Sequence, residues 1–176
     1  AARPEDADLV WGEDSDLLAD VRSRAVRWLS RAGTLARGRH EILEAVELFT
    51  RAVEFSDDDH ERALLWRAVG EAQALRYDGE AMRSALLTAL EGPLDDEERA
   101  ETYALLAMQA SIRSSMWSIR LDPDNIVQWA GRAIELAAPV SDARLRAVVA
   151  RANVEPGSTS EEELVLYLQH PNDAVS

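Results

Sequence analysis

The chain has 176 residues, 47% of them apolar, a formal net charge of −14 and no cysteine. That is long enough for one domain with a hydrophobic core and too apolar for a disordered tail. The composition leaves no disulfide framework, no thiolate metal site and no apolar run of about 18 residues to cross a bilayer, and it fits a reducing, cytoplasmic setting. All 19 basic residues are arginine, and an acidic chain of this kind is not expected to neutralise phosphates, so no nucleic acid is expected as a direct partner. The chain starts at Ala1 without a basic-then-apolar leader, and it reads as a piece of a longer protein.

Residues 1–13, with Pro4 and Gly12, form an irregular lead-in. Residues 5–20 hold seven carboxylates, whereas residues 22–39 hold six arginines and no acid; the expectation is local pairing of these stretches rather than a ligand patch. A first helix is predicted over 14–38, with Leu18, Val21, Ala25, Trp28, Leu29, Ala32 and Ala36 as its apolar stripe. A turn at Gly38-Arg39-His40 ends it. A second helix over 41–55 turns Ile42, Ala45, Val46, Phe49, Ala52 and Val53 inward.

Ser56-Asp57-Asp58-Asp59 supplies N-cap oxygens, and Asp58 with Glu61 fits a capping box. The third helix, 59–76, buries Leu65, Trp66, Val69, Ala72 and Gln73. Asp78-Gly79 makes a tight turn into a fourth helix, 80–91, which stops at Gly92-Pro93. Asp95 with Glu98 opens a fifth, 96–114. After an irregular stretch, Asp122-Pro123 reads as an N-cap followed by proline at the first helical position, starting a sixth helix over 123–137. A seventh runs over 141–152. A loop with Pro156-Gly157 follows, and Ser160 with Glu163 caps an eighth over 161–169. Residues 171–176 are a tail.

The string Ala-aliphatic-Glu closes three of these helices, as Ala52-Val53-Glu54, Ala89-Leu90-Glu91 and Ala133-Ile134-Glu135. The first two lie 37 residues apart (91 − 54), a step shared by Gly33, Gly70 and Ala107. The third arrives 44 residues after the second (135 − 91), seven more than the earlier step, and the excess falls in residues 114–121. Self-similarity at a fixed period marks stacked supersecondary units. The first helices read Leu29–x2–Ala32-Gly33–x2–Ala36, Trp66–x2–Val69-Gly70–x2–Gln73 and Tyr103–x2–Leu106-Ala107–x2–Ala110. The second helices read Ala45–x3–Phe49–x2–Ala52, Met82–x3–Leu86–x2–Ala89 and Ile126–x3–Ala130–x2–Ala133. Small residues at Gly33, Gly70 and Ala107 let neighbouring helices approach closely.

This pattern resembles the tetratricopeptide (TPR) repeat, and the resemblance covers residues 20–138 best. It departs at the aromatic position, occupied by Ala36, Gln73 and Ala110, and at the closing proline, occupied by Asp57 and Leu94. The resemblance implies an all-α fold: a TPR-like right-handed α-solenoid of antiparallel helix pairs with about eight helices. The pairs would be 14–55, 59–91, 96–138 and 141–169 within a single domain over 14–170. A narrower resemblance rests on Arg3-Pro4-Glu5-Asp6, on residues 24–33, and on Ser115-Met116-Trp117 followed by Asp122-Pro123-Asp124. These are similar to the C-terminal helical part of large bacterial signalling proteins that join a class III nucleotide cyclase to an AAA-type ATPase, and of some LuxR-type regulators. That resemblance implies a regulatory or sensing role.

Nothing in the sequence marks catalysis or a cofactor. There is no phosphate-binding glycine loop, no Gly-x-Ser-x-Gly and no His-Glu-x-x-His. His40, His60 and His170 read as turn or cap residues rather than a metal site, and Asp57-Asp58-Asp59 reads as a helix cap rather than a cation site. Of the five tryptophans, Trp28, Trp66 and Trp129 are expected in the core. Trp11 is expected to cover its edge, and Trp117 keeps a contact role open.

In a TPR stack the first helix of each pair lines the concave groove. The groove-facing set is then Arg27, Ser30, Thr34 and Arg37, followed by Arg67, Glu71 and Ala74, and by Ala104, Met108 and Ser111. Arginines there can clamp a carboxylate or phosphate, although a solvated face laced with salt bridges is the simpler reading of each residue alone. Met116 and Trp117 are the candidate contacts of the inserted stretch.

The expected function is therefore non-catalytic: a protein–protein interaction or regulatory sensor module of a larger bacterial signalling protein. Its partner would be a protein or peptide, including other domains of the same polypeptide, with no membrane. The alternatives are a self-association element forming a homo-oligomer, and an enzyme with an unrecognised helical active site.

Overall fold

In the computed structural model the described residues are 15–157, and among them seven α-helices, one 3-10 turn and no strand occur. The helices are α1 (Ser15–Gly38), α2 (Ile42–Phe55), α3 (Asp59–Leu75), α4 (Gly79–Glu91), α5 (Asp96–Ile112), α6 (Pro123–Leu136) and α7 (Asp142–Val154), with the 3-10 turn at Ser114–Met116. Every helix expected within these residues forms, with ends displaced by at most two residues. The lead-in, the eighth helix expected over 161–169 and the tail lie outside the described residues. None of the described helices is long and apolar enough to cross a membrane.

The starts follow from side-chain chemistry. Asp95 opens α5 with a complete capping box: its carboxylate accepts from the Glu98 N–H at 2.8 Å, and the Glu98 carboxylate accepts from the Asp95 N–H at 2.9 Å. At α3 the box is only half made. Asp58 accepts from the Glu61 N–H at 2.7 Å, but Glu61 Oε2 turns to the Ser56 hydroxyl at 2.8 Å. Asp122 caps α6 ahead of Pro123, as expected. The chain reverses after α1 at His40, whose φ of 65° is left-handed, rather than at Gly38.

The described residues divide into two compact units, 15–76 with 84–93, and 77–83 with 94–157. In the first unit α1 packs on α2 and α2 on α3, around Val26, Phe49, Leu65, Val69 and a bed of alanines. Two glycines set the spacing. A Cβ at Gly33 would stand 2.9 Å from Phe49 Cε1, and one at Gly70 would stand 2.5 Å from Leu86 Cδ2; the large residue of each second helix fills the space left on the first. In the second unit α5, α6 and α7 each pack on the other two. Their contact is rich in fully buried alanine, with Leu106 and Val148 the largest of its fully buried apolar side chains. Thr102, a buried polar residue there, donates its hydroxyl to the Glu98 carbonyl at 2.7 Å.

Burial repeats with the sequence pattern. Ala45, Phe49 and Ala52, then Met82, Leu86 and Ala89, then Ile126, Ala130 and Ala133 are all buried. In each Ala-aliphatic-Glu string the alanine is fully buried and the glutamate exposed. Three expectations on α1 require correction. Trp28 is 67% exposed and Val21 47% exposed, although the periodicity puts both in the apolar stripe, and Ala25 is only half-buried. The buried positions are Val26, Gly33 and Ala36, with Leu29 half-buried between them. At about 100° per residue, Trp28 lies some 200° from Val26 and faces away from the core. Gly33 decides the rotation, because only a residue without a side chain fits against the Phe49 ring. Of the other tryptophans, Trp129 is buried and Trp66 half-buried against the core; Trp11 lies outside the described residues.

Candidate functional site

The outward rotation of α1 adds Trp28 and Leu35 to the face on which the helical period already groups Arg24, Arg27 and Arg31. Arg24, Arg27, Trp28, Arg31, Thr34 and Leu35 are all exposed. Their spacing of three and four residues aligns them along one face of the helix. Arg24, Arg27, Trp28 and Arg31 outline a shallow depression of about 360 Å³. Arg24 pairs with Asp20 at 2.6 Å, while Arg27 and Arg31 make no ion pair among the described residues. Arg22, by contrast, bridges to Asp57 at 3.4 Å. Arg24 thus shows the expected local pairing with residues 5–20, the Arg22–Asp57 pair reaches outside that stretch, and Arg27 and Arg31 make no such pair among the described residues. The sequence signal for this face is the arginine triplet around Trp28; assigning that tryptophan to the core hides it.

The other expected groove residues of the first unit behave differently. Arg37 of α1 forms an ion pair with Glu71 of α3, and Arg67 Nε lies 3.8 Å from the same carboxylate. Arg37 also sits over the Phe49 ring, 5.9 Å from its centroid. All three charged side chains are partly buried, and the two arginines share one partly exposed carboxylate. Ser30 and Thr34 donate their hydroxyls to carbonyls one turn back, at 2.8 and 2.9 Å. Ala74 is buried.

In the second unit Ala104 is likewise buried, and Met108 and Ser111 are half-buried on α5. Ser111 donates to the Met108 carbonyl at 3.0 Å and receives the Asn153 amide of α7 at 3.4 Å. The inserted stretch is fastened to the start of α4. Trp117 lies against Gly79, where a Cβ would stand 2.7 Å from its Cδ2 and 2.8 Å from the Met116 carbonyl oxygen. The Ser118 N–H donates to Glu80 Oε1 at 2.8 Å, and that bond holds the Glu80 carboxyl below the usual glutamate range. Met116 is buried as an anchor of this stretch. Trp117 is half-buried, and its enclosed Nε1–H has no acceptor among the described residues.

Beside Trp117 lies a cavity of about 190 Å³. Its floor is Ala110 and Ile126, both buried, and its rim carries the exposed Ser114, Arg120 and Asn153. Among the described residues no group of His, Asp and Glu is placed to hold a metal ion. Comparison with family models, with curated proteins and with solved structures finds no match for this chain.

Proposed function

We propose that this chain is a non-catalytic interaction and regulatory module of a larger signalling protein, and that it binds an acidic protein or peptide segment along the exposed face of α1. The observation that carries the reading is Trp28, 67% exposed among Arg24, Arg27 and Arg31. A large aromatic held in water beside arginines is the usual make-up of a binding hot spot. The guanidinium groups favour carboxylates, and Trp28 and Leu35 offer apolar anchorage two turns apart. The recurrent burial of the helix-pair positions supports a TPR-like right-handed stack of antiparallel pairs as the scaffold, and the resemblance to cyclase- and ATPase-linked helical regions supports the signalling context. Self-association through this face is disfavoured, because a two-fold contact would set the arginines of both copies against one another.

The test uses a fluorescein-labelled peptide rich in glutamate with one phenylalanine. The full chain is expected to bind it more weakly as salt rises, and Arg27→Glu with Arg31→Glu, or Trp28→Ala alone, is expected to weaken binding about tenfold or more without changing the melting temperature. Unchanged affinity in the charge-reversed variant, or tighter binding to a DNA duplex than to the peptide, overturns the proposal.

A further inference from the structure

The cavity in the second unit differs from its surroundings in charge. The chain carries 33 acidic residues, yet among the described residues no carboxylate lines this space. Its charged group is Arg120, which is exposed at the rim and makes no ion pair among the described residues. The other polar groups are the Ser111 and Ser114 hydroxyls and the Asn153 amide. The Ser111 proton is already committed to the Met108 carbonyl at 3.0 Å. Trp117, which forms one wall, carries a buried N–H with no acceptor among the described residues, and a donor left so costs about 1–3 kcal/mol. The remaining lining, Ala110, Leu121, Pro123, Ile126 and Val154, is apolar. The combination of a rim cation, a lining without carboxylates and an apolar floor suits a molecule with an anionic acceptor at one end and hydrocarbon at the other.

Size narrows the class. A cavity of about 150 Å³ admits benzene, and this one measures about 190 Å³. We propose that the space between α5, α6, α7 and residues 114–121 is a binding site for a small organic monoanion with an apolar body, of the dimensions of an aromatic monocarboxylate. The carboxylate meets Arg120 at the rim, and the hydrocarbon lies on Ala110 and Ile126. The site uses none of the α1 residues, and neither reading depends on the other. A ligand here touches Trp117, which is tied to Gly79 and Ser118's partner Glu80 at the start of α4, so occupancy is reported at the inserted stretch.

The experiment takes the full chain, labelled with nitrogen-15, and titrates it with benzoate, benzamide and benzylammonium. The five tryptophans give separate indole N–H signals, and Trp117→Phe identifies the one that matters. Benzoate is expected to move the Trp117 signal in a saturable manner with a Kd of about 1 mM or tighter. Benzamide should bind about tenfold more weakly, benzylammonium should leave the signal in place, and Arg120→Gln should weaken benzoate by about tenfold, as loss of a charge-assisted contact does. Ser114→Phe, a plug at the exposed rim, should abolish the shift while the rest of the spectrum stays folded. Absence of a saturable shift with benzoate, equal binding of benzamide or benzylammonium, or indifference to Arg120→Gln each overturns the proposal.

Discussion

Gly70 lies in the interior of α3, where replacing glycine by alanine in open space stabilises a helix by about 1 kcal/mol. At this position the opposite is expected. The added Cβ would stand 2.5 Å from Leu86 Cδ2 and 2.6 Å from Leu86 Cγ. Leu86 is fully buried, and a clash at Cγ is not relieved by turning a terminal methyl. Overpacking of a tight core costs about 1–3 kcal/mol, and two contacts this short belong at the upper end. Set against the helix gain, Gly70→Ala should destabilise by about 2 kcal/mol. Gly38, in the same unit at the exposed end of α1, would have nothing within 4 Å of an added Cβ, and its φ is not positive. Gly38→Ala should therefore stabilise by about 0.5 kcal/mol. Urea unfolding followed by helical circular dichroism reads both. The double variant Gly70→Ala with Leu86→Ala supplies the decisive arm. Leu86→Ala alone should cost about 2–5 kcal/mol, and adding the methyl at residue 70 should then cost nothing further, because it occupies vacated space. If Gly70→Ala is as stabilising as Gly38→Ala, or if the two changes at 70 and 86 add, the close approach of Gly70 and Leu86 is refuted.

Trp28→Ala should leave stability within about 0.5 kcal/mol of the parent, as an exposed substitution does; Trp129→Ala, which empties a buried site on α6, should cost about 3–5 kcal/mol. The same urea titration separates them, and equal costs would place Trp28 back in the core. Glu80 has a lowered folded-state pKa, so its contribution is present above the ordinary glutamate range and is lost as pH falls through the folded value. Acidification should raise hydrogen exchange at the Ser118 amide. Glu80→Ala should raise it at neutral pH as well, while Glu80→Gln, which keeps an acceptor, should hold protection and remove the acid dependence.

The helices were legible because their signals are local. Asp58, Asp95 and Asp122 are short acceptors placed where three donors need them, and Gly92-Pro93 cannot continue a helix. Burial on second helices was legible for a related reason: Phe49, Leu86 and Ala130 each sit between alanines or other apolar residues at matching intervals, so one face collects the tightly packed positions. The long first helix was harder. With Leu17, Leu18, Val21, Val26, Trp28, Leu29 and Leu35 available, two stripes about 100° apart satisfy the same periodicity. The choice between them is made in α2, by the ring of Phe49 meeting Gly33. Hydrophobicity assigns Trp28 inward; a single backbone approach turns it outward. The Arg37–Glu71 ion pair was equally non-local, since its members stand 34 residues apart and share a face only once α1 and α3 are placed in the first unit.

The same reasoning explains why the two candidate surfaces were unequal in the sequence. Residues 114–121 interrupt a regular step, and an interruption is visible without structure. What it encloses is not, because Ala110, Ile126 and Val154 look like ordinary core positions on α5, α6 and α7. They line a cavity together with Trp117 and Leu121 of the inserted stretch, and Trp117 rests on Gly79. A side chain at residue 79 would strike both the indole and the Met116 carbonyl, so one small residue fixes the position of the whole stretch. Gly33 and Gly79 thus act alike: each admits an aromatic ring from a distant segment, and each fixes how that segment packs.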